Sequence, residues 1–315
     1  MKRSSRRQSR FDSDRGRFAP RMRFLLDRMA GRCMLWLTVL SGLIVFVMIA
    51  GLFLRARPIL AEHTVVELLT SSVWRPMAGE FGFLPFIAGT LWVTGVAVLI
   101  AVPLSVLAAV HLSEYASRSV RAVARPFVDV LAGIPSVVYG VWGMLVIVPF
   151  IKDRIAPAFG SFSTGYSILA GGIVLAVMII PVMVHVMLEV LGSVPVEIRD
   201  ASLAVGATRW QTVKNVVMRR ALPGVFAAVV LGLSRAFGET MAVLMVVGNV
   251  PIVPKSVLDP GYPLPALVAN NYGEMMSVPL YDSALLLACL VLLLVVLFFN
   301  IASRAVLVRI ERRTV

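Results

Sequence analysis

The chain has 315 residues, 59% of them hydrophobic and 15% charged, with a formal net charge of +13. A soluble domain is about 45–50% apolar and about 25% charged, so the composition excludes an ordinary soluble enzyme and indicates a polytopic membrane protein. The positive charge does not indicate nucleic-acid binding, because it is confined to particular connecting segments and no aromatic binding module accompanies it.

The first 32 residues carry 11 Lys/Arg. Residues 1–33 are therefore expected to form a basic cytoplasmic tail without a fold of its own, setting orientation and touching anionic membrane lipid. Six apolar runs follow, each near or above the roughly 20 residues needed to cross the hydrocarbon core. They fall at 34–54, 86–111, 126–150, 167–191, 222–247 and 283–303. The first is longer than the roughly 7–15 residues of a signal-peptide core, so it is expected to remain as a span. An external loop, 55–85, leads to a core of spans two to six at 86–303, and a tail at 304–315 closes the chain. The fold class is all-α.

Charge orients the bundle. Segments 113–125 and 192–220 and both ends hold most of the Lys/Arg, whereas 55–85, 151–166 and 248–282 share six. That asymmetry puts both termini in the cytoplasm and the long Pro-rich loop 249–282 outside. Within that loop "LPALVANNYGEMM" is expected to form a short surface helix.

Prolines interrupt spans at Pro103, Pro135 and Pro181, each freeing a carbonyl that a neighbour must satisfy. "LAGIPSVVYGVWG" (131–143) is the most broken stretch, with Gly133 and Pro135 as its candidate helix breaks. Interrupted helices often flank translocation paths, and small residues also serve close helix packing. Asp129, near the cytoplasmic end of span three, needs no special role.

Catalytic chemistry is missing. "GSFSTGYS" (160–167) spaces its glycines like a phosphate loop, but Tyr166 stands where the lysine belongs. No Walker, kinase, triad or metalloprotease pattern occurs, so energy for any uphill transport must come from a partner or an ion gradient. Cys33 and Cys289 lie at or within apolar runs and His63, His111 and His185 are scattered singly, which gives no disulfide framework and no metal set.

The cytoplasmic loop 193–220 is more than a connection. Pro195 suits a helix start, "VEIRDASLAV" follows with helical spacing and Ile198, Ala201, Leu203 and Val205 as its apolar members, and Gly206 suits a left-handed helix end. Thr208 and Gln211 then form a capping box that opens a second helix. A helix–glycine–helix elbow of this kind is expected to dock a partner.

Asp200-Ala201-Ser202, three further residues and Gly206 resemble the EAA loop of ABC-importer permeases, with Asp200 in place of the usual Glu and Ser202 in place of the second Ala. Val216-Val217-Met218-Arg219 departs from the family's Ile-x-Leu-Pro. Together with "AGIPSVVYGVWG" and "GLSRAFGETMAVLMVVGN", the loop makes residues 80–303 similar to the permeases of bacterial phosphate importers, of the PstC rather than the PstA type. The resemblance implies a type I ABC importer permease fold and a PstA-like permease partner. It further implies two PstB-like subunits that bind ATP and Mg, so that this chain holds no cofactor, and a periplasmic PstS-like phosphate-binding protein. It implies that Glu197, Asp200, Ala201, Leu203 and Gly206 couple to the ATPase.

Two charges, Arg235 and Glu239, interrupt span five, and intramembrane charges mark functional sites by default. If the span is one helix, Ala228, Gly232, Arg235, Glu239 and Ala242 share a stripe. Arg235 would then present a planar fork to phosphate oxygens, Glu239 would orient it and offset its charge, and Ser234 and Thr240 would hydrogen-bond nearby. A self-satisfied structural pair is the competing reading. Other readings of the chain are a permease for sulfate or molybdate, a secondary transporter using the pair for proton coupling, and a membrane enzyme or assembly factor. The elbow argues against the second, and the missing catalytic pattern against the third.

Overall fold

A computed structural model describes residues 20–274 and 278–314. Six of its helices are long and apolar enough to cross a membrane: Asp27–Glu62, Leu84–Tyr115, Ser136–Ala158, Ile168–Gly192, Arg209–Gly238 and Tyr281–Arg309. The expected tail lies outside the described residues up to residue 19. From Pro20 the chain is already helical, so the rest of that tail is the start of helix α1 (Pro20–Glu62).

The chain packs as two units divided after Leu54. The first is α1 up to Leu54, whose side chains from Asp27 onward are almost all exposed, large apolar ones such as Trp36 and Phe46 included. The second, Arg55–Val315, contains the packed core. Its opening residues are not the loop expected over 55–85. The helix continues to Glu62, with Ala56 and Ile59 fully buried. Helix α2 (Val65–Thr70) and a two-stranded antiparallel hairpin, β1 (Trp74–Arg75) with β2 (Glu80–Phe81), come next. Trp74 packs its ring against Phe81, Phe83, Phe86 and Tyr281 at centroid separations of 4.9–6.3 Å. This aromatic cluster seats the hairpin on the start of α3 (Leu84–Val110).

The core is built on α3 and α6 (Ile168–Gly192). Along α3, Gly89, Val93, Ala97, Ala101, Ser105 and Ala109 recur every fourth residue and are all buried. Four residues is close to one helical turn, so these small side chains form a single flat ridge. On α6, Gly172 lies so close to α3 that an added Cβ would sit 2.4 Å from Val96 Cγ1. In α6, 56% of the apolar window is buried, against 28–33% in the other spans of this unit, which makes it the central helix.

The third span is displaced from its expected place at 126–150. Residues Arg118–Gly133 form a separate helix, α4, with one side packed on α6. The span proper is α5, Ser136–Ala158, which also converts much of the expected loop 151–166 into helix. The break has a covalent cause. Pro135 forces Ile134 into extended backbone (ψ 132) and has no N–H for the Leu131 carbonyl. Ile134 N–H at 3.3 Å and Tyr139 Oη at 2.7 Å donate to that carbonyl instead.

Gly133 is not itself a hinge. Its backbone is helical and a Cβ there would meet nothing within 4 Å. Gly140 and Gly143, further along, serve packing, since a Cβ would sit 2.7 Å from Met245 Sδ and 2.4 Å from Val174 Cγ2 respectively. We therefore expect Gly133→Ala to change unfolding in detergent by less than about 1 kcal/mol. Gly172→Ala, which overpacks the α3–α6 contact, should cost about 1–3 kcal/mol. Thermal unfolding of the two purified variants checks both.

The Pro-rich loop is ordered by its backbone. The Asp259 and Val257 carbonyls accept from Ile168 and Leu169 N–H, 2.9 and 2.8 Å, and so cap the first turn of α6. The short helix expected on the surface does form, as α10 (Leu264–Asn271), but it is not superficial. Leu264, Pro265, Ala266 and Leu267 are buried, and Leu264 N–H donates to Thr90 Oγ1 on α3 at 2.9 Å. Gly89 permits this, since a Cβ there would sit 3.1 Å from the Tyr262 backbone. Helix α11 (Tyr281–Thr314) closes the unit and extends through the expected tail at 304–315 as far as Thr314.

Candidate functional site

Two places gather the residues singled out above: a break in the fifth span and the elbow that precedes that span. Both belong to α8 (Arg209–Gly238) and its flanks.

Span five was expected as one helix over 222–247, and it is not. α8 stops at Gly238, Glu239 is extended (φ −75, ψ 126), and a separate turn, α9 (Met241–Leu244), follows. The spacing argument for an Arg235–Glu239 pair therefore fails, because four-residue spacing aligns side chains only within a continuous helix. Among the described residues the salt bridges are His63–Glu67, His185–Asp129 and Arg199–Glu114, and Arg235 takes part in none of them. Glu239 Oε1 instead accepts the Ala242 N–H at 3.1 Å, satisfying an otherwise free donor in the first turn of α9. It also borders a small pocket with Thr90, Thr94 and Phe237.

The expected stripe divides as well. Ala228 and Gly232 are buried, and a Cβ on Gly232 would sit 2.7 Å from Met183 on α6. Gly224 and Gly232 pack against Val190 and Met183 of α6, the buried Ala228 and Ala236 continue the same four-residue spacing, and Arg235 lies off it and exposed. Ser234 Oγ is engaged with α11, 2.6 Å from Asn300 Oδ1, and Thr240 Oγ1 donates only to Gly238 O at 3.4 Å. The fold thus places Glu239 and Thr240 together at the break, turns Ser234 towards α11, and leaves Arg235 exposed and outside the ion pairs of the described residues.

The elbow is built from local signals. α7 (Val196–Ala204) starts after Pro195, and Gly206 turns the chain with φ +87. Gly206 N–H donates to Leu203 O at 3.0 Å. Thr208 Oγ1 accepts Gln211 N–H at 3.3 Å while Gln211 Oε1 accepts Thr208 N–H at 2.8 Å, closing the capping box that opens α8. Ser202 Oγ lies 2.9 Å from Thr212 Oγ1, so the departure from alanine there ties the two helices together. Glu197, Asp200, Ala201 and Leu203 are all exposed. Beside them stand Val205, 85% exposed and one of the apolar members expected of this helix, and Trp210, 58% exposed, which the sequence reading did not single out. The signal for Trp210 was a tryptophan shortly after the glycine turn in a loop otherwise rich in charge.

Sequence reasoning also missed a contact between α4 and α6. His185 Nδ1 and Asp129 Oδ1 are 2.8 Å apart, at a cleft that Arg125 and Glu189 also line. Nothing local in the sequence joins residues 56 positions apart.

Comparison with known proteins agrees with this architecture. Residues 101–315 match the family model for binding-protein-dependent transport system inner membrane components. A probable ABC transporter permease protein, YqgH of Bacillus subtilis, is 40% identical over 246 residues, covering 76% of this chain and 78% of that protein. The phosphate transport system permease protein PstC of Xylella fastidiosa (strain 9a5c) is 37% identical over 262 residues, covering 79% and 80%. Among solved structures, a bacterial alginate ABC transporter aligns with a TM-score of 0.60 at 15% identity, over 89% of this chain and 95% of that one. The MetNI methionine ABC transporter aligns at 0.57 and 20% identity, over 76% and 99%. At such identities the structural likeness establishes the fold, that of ABC importer permeases, while the sequence relatives place the chain more narrowly. The chain belongs to the binding-protein-dependent transport system inner membrane components, and within that family to the PstC-type permease proteins.

Proposed function

We propose that the chain is one permease half of an ATP-driven importer that carries inorganic phosphate into the cytoplasm. The observation that carries this reading is the placement of Arg235. It lies fifteen residues beyond Arg220, about 22 Å along a helix at 1.5 Å per residue, which is well inside the membrane. It is exposed on this chain, with no carboxylate partner among the described residues. A guanidinium at that depth does not face lipid; it faces a second subunit or a water-filled path. There it offers a planar, permanently charged fork to an oxyanion. Phosphate is favoured because several relatives at 30–37% identity are named as phosphate transport system permeases.

The second subunit is PstA-like, and the path runs between the two chains. Two PstB-like subunits, which bind ATP and Mg, dock on the elbow through Leu203, Val205 and Trp210, with Glu197 and Asp200 at the rim and Ala201 leaving room for approach. A PstS-like binding protein delivers phosphate on the other side. Glu239 does not orient Arg235 here; it holds the α8–α9 break through Ala242 N–H, and Thr240 shares that break.

The test is transport by the complete complex in vesicles. ATP-dependent uptake of labelled phosphate that excess sulfate and molybdate leave unchanged is the expected result. Equal competition by sulfate would move the substrate to another oxyanion, and uptake driven by a proton gradient without ATP would overturn the importer reading.

Orientation is part of the proposal: both termini lie in the cytoplasm and loop 249–282 outside. A cysteine introduced as Ser256→Cys, in a background with Cys33→Ser and Cys289→Ser, should react with an impermeant maleimide on intact cells, since Ser256 is exposed. Labelling only after permeabilisation would reverse the orientation.

A further inference from the structure

Three arginines, two of them from distant parts of the chain, converge on one short turn. The turn is His111–Tyr115, a five-residue π-helical stretch that ends α3. Arg199, on the elbow helix α7, donates from Nη2 to Glu114 Oε1 at 2.9 Å and to Leu191 O, in the last turn of α6, at 2.8 Å. Its Nη1 reaches the Val194 carbonyl. Arg209, at the start of α8, donates to the Glu114 carbonyl and lies over the Tyr115 ring, 5.0 Å from the centroid. Arg121, on α4, takes the Leu112 carbonyl from Nε at 2.9 Å and the Ser113 carbonyl from Nη2.

Every helix end leaves carbonyls without donors, and a cap from a nearby residue is the ordinary remedy. This arrangement does more than cap. Two of its three donors come from residues 85 and 95 positions away, and both belong to the elbow. The Arg199–Glu114 pair is largely shielded, at 18% and 10% side-chain exposure. A shielded ion pair is stiff, because breaking it strands a charge away from water. Arg199 also grips the ends of α3 and α6 at once, the two helices that form the centre of the core. A displacement of the elbow therefore cannot leave those helices behind.

We propose that the Glu114 turn is the receiver of elbow motion: Arg199 and Arg209 pass the displacement of the docked ATPase to α3 and α6, and Arg121 carries it on to α4. Glu114, Arg199 and Arg209 are positioning residues in this scheme, since none touches substrate. The inference rests on the reading of the elbow as the ATPase dock.

The experiment uses the whole importer, reconstituted with its ATPase and binding protein, and compares Glu114→Gln, Arg209→Gln and the control Arg118→Gln. Arg118 is exposed, and the hydrogen bonds and ion pair described at the turn do not involve it. Three quantities are read: ATPase retained on purification, ATP hydrolysed, and phosphate moved per ATP. Glu114→Gln should retain the ATPase and its hydrolysis while phosphate per ATP falls about tenfold, within the range of site-to-site coupling. Arg209→Gln should lower it by a smaller factor, and the control should match the native complex. An unchanged ratio of phosphate to ATP in both variants overturns the receiver role. So does a parallel loss of ATPase binding and transport, which would make the network only a scaffold for the elbow. If Glu114→Gln does not accumulate, Arg209→Gln decides alone, because that side chain is exposed and its replacement strands no buried charge. A native complex that never holds the ATPase would remove the docking reading and the receiver with it; a native complex that holds it, with both variants fully coupled, removes the receiver alone.

Discussion

Arg235→Gln should lower phosphate uptake by roughly 30–100-fold, equivalent to about 2–3 kcal/mol of charge-assisted hydrogen bonding to the anion. The complex should still assemble, because Arg235 is exposed and has no ion-pair partner to strand among the described residues. Arg235→Lys should recover part of the rate, keeping the charge but losing the two-pronged geometry. Glu239→Gln should be mild, since its remaining carbonyl oxygen can still accept the Ala242 N–H. The double change, Arg235→Gln with Glu239→Gln, should then be as inactive as the first alone. Near-normal transport in the double variant would restore the structural pair and remove Arg235 from the path. Labelled phosphate uptake, normalised to assembled complex, is the measurement.

Gly206→Pro should leave the protein in the membrane at its normal level and reduce ATPase retention at least about tenfold. Proline holds φ near −65° and has no N–H. Gly206 needs φ +87 and donates to Leu203 O. The change therefore re-aims α7 relative to α8 and displaces Leu203, Val205 and Trp210 from a common surface. Gly206→Asn should be close to native, because asparagine tolerates the left-handed region, while Gly206→Ala should cost about 1–2 kcal/mol of local conformation. Co-purification of the ATPase with each variant gives the comparison. Full retention and full uptake with proline at 206 would show that the elbow is not the dock.

The elbow was legible residue by residue. Its start, its left-handed glycine and its capping box are each local chemistry, complete within a few residues, and the fold contains all three where the spacing places them. The break in span five was not legible. Apolar residues continue on both sides of Arg235 and Glu239 from Leu222 to Val247, the four-residue spacing of the two charges fits a continuous helix, and Gly238 is the only local hint that the helix stops there. The span-three error has a similar origin. α4 and α5 are contiguous in hydropathy, and the window that averages over Pro135 sets the span about ten residues early, although the proline that separates them is visible.

What the sequence alone determined is whatever depends on neighbours along the chain: six apolar runs, the charge asymmetry of their connections, the proline and glycine turns, and the family resemblance carried by short motifs. Tertiary structure decided which faces meet. The ridge from Gly89 to Ala109 is read as small residues in the sequence, but only packing shows that it meets α6. The helix Leu264–Asn271 looks amphipathic enough for a surface and is buried because Gly89 lets the Tyr262 backbone approach and Thr90 supplies a hydrogen bond. Arg199, Arg209 and Arg121 count equally with every other cytoplasmic arginine as orientation charge until the fold brings Glu114 and its turn within reach. Hydropathy and local geometry are one-dimensional properties, whereas an ion pair or a helix contact depends on a distance through space that composition does not encode.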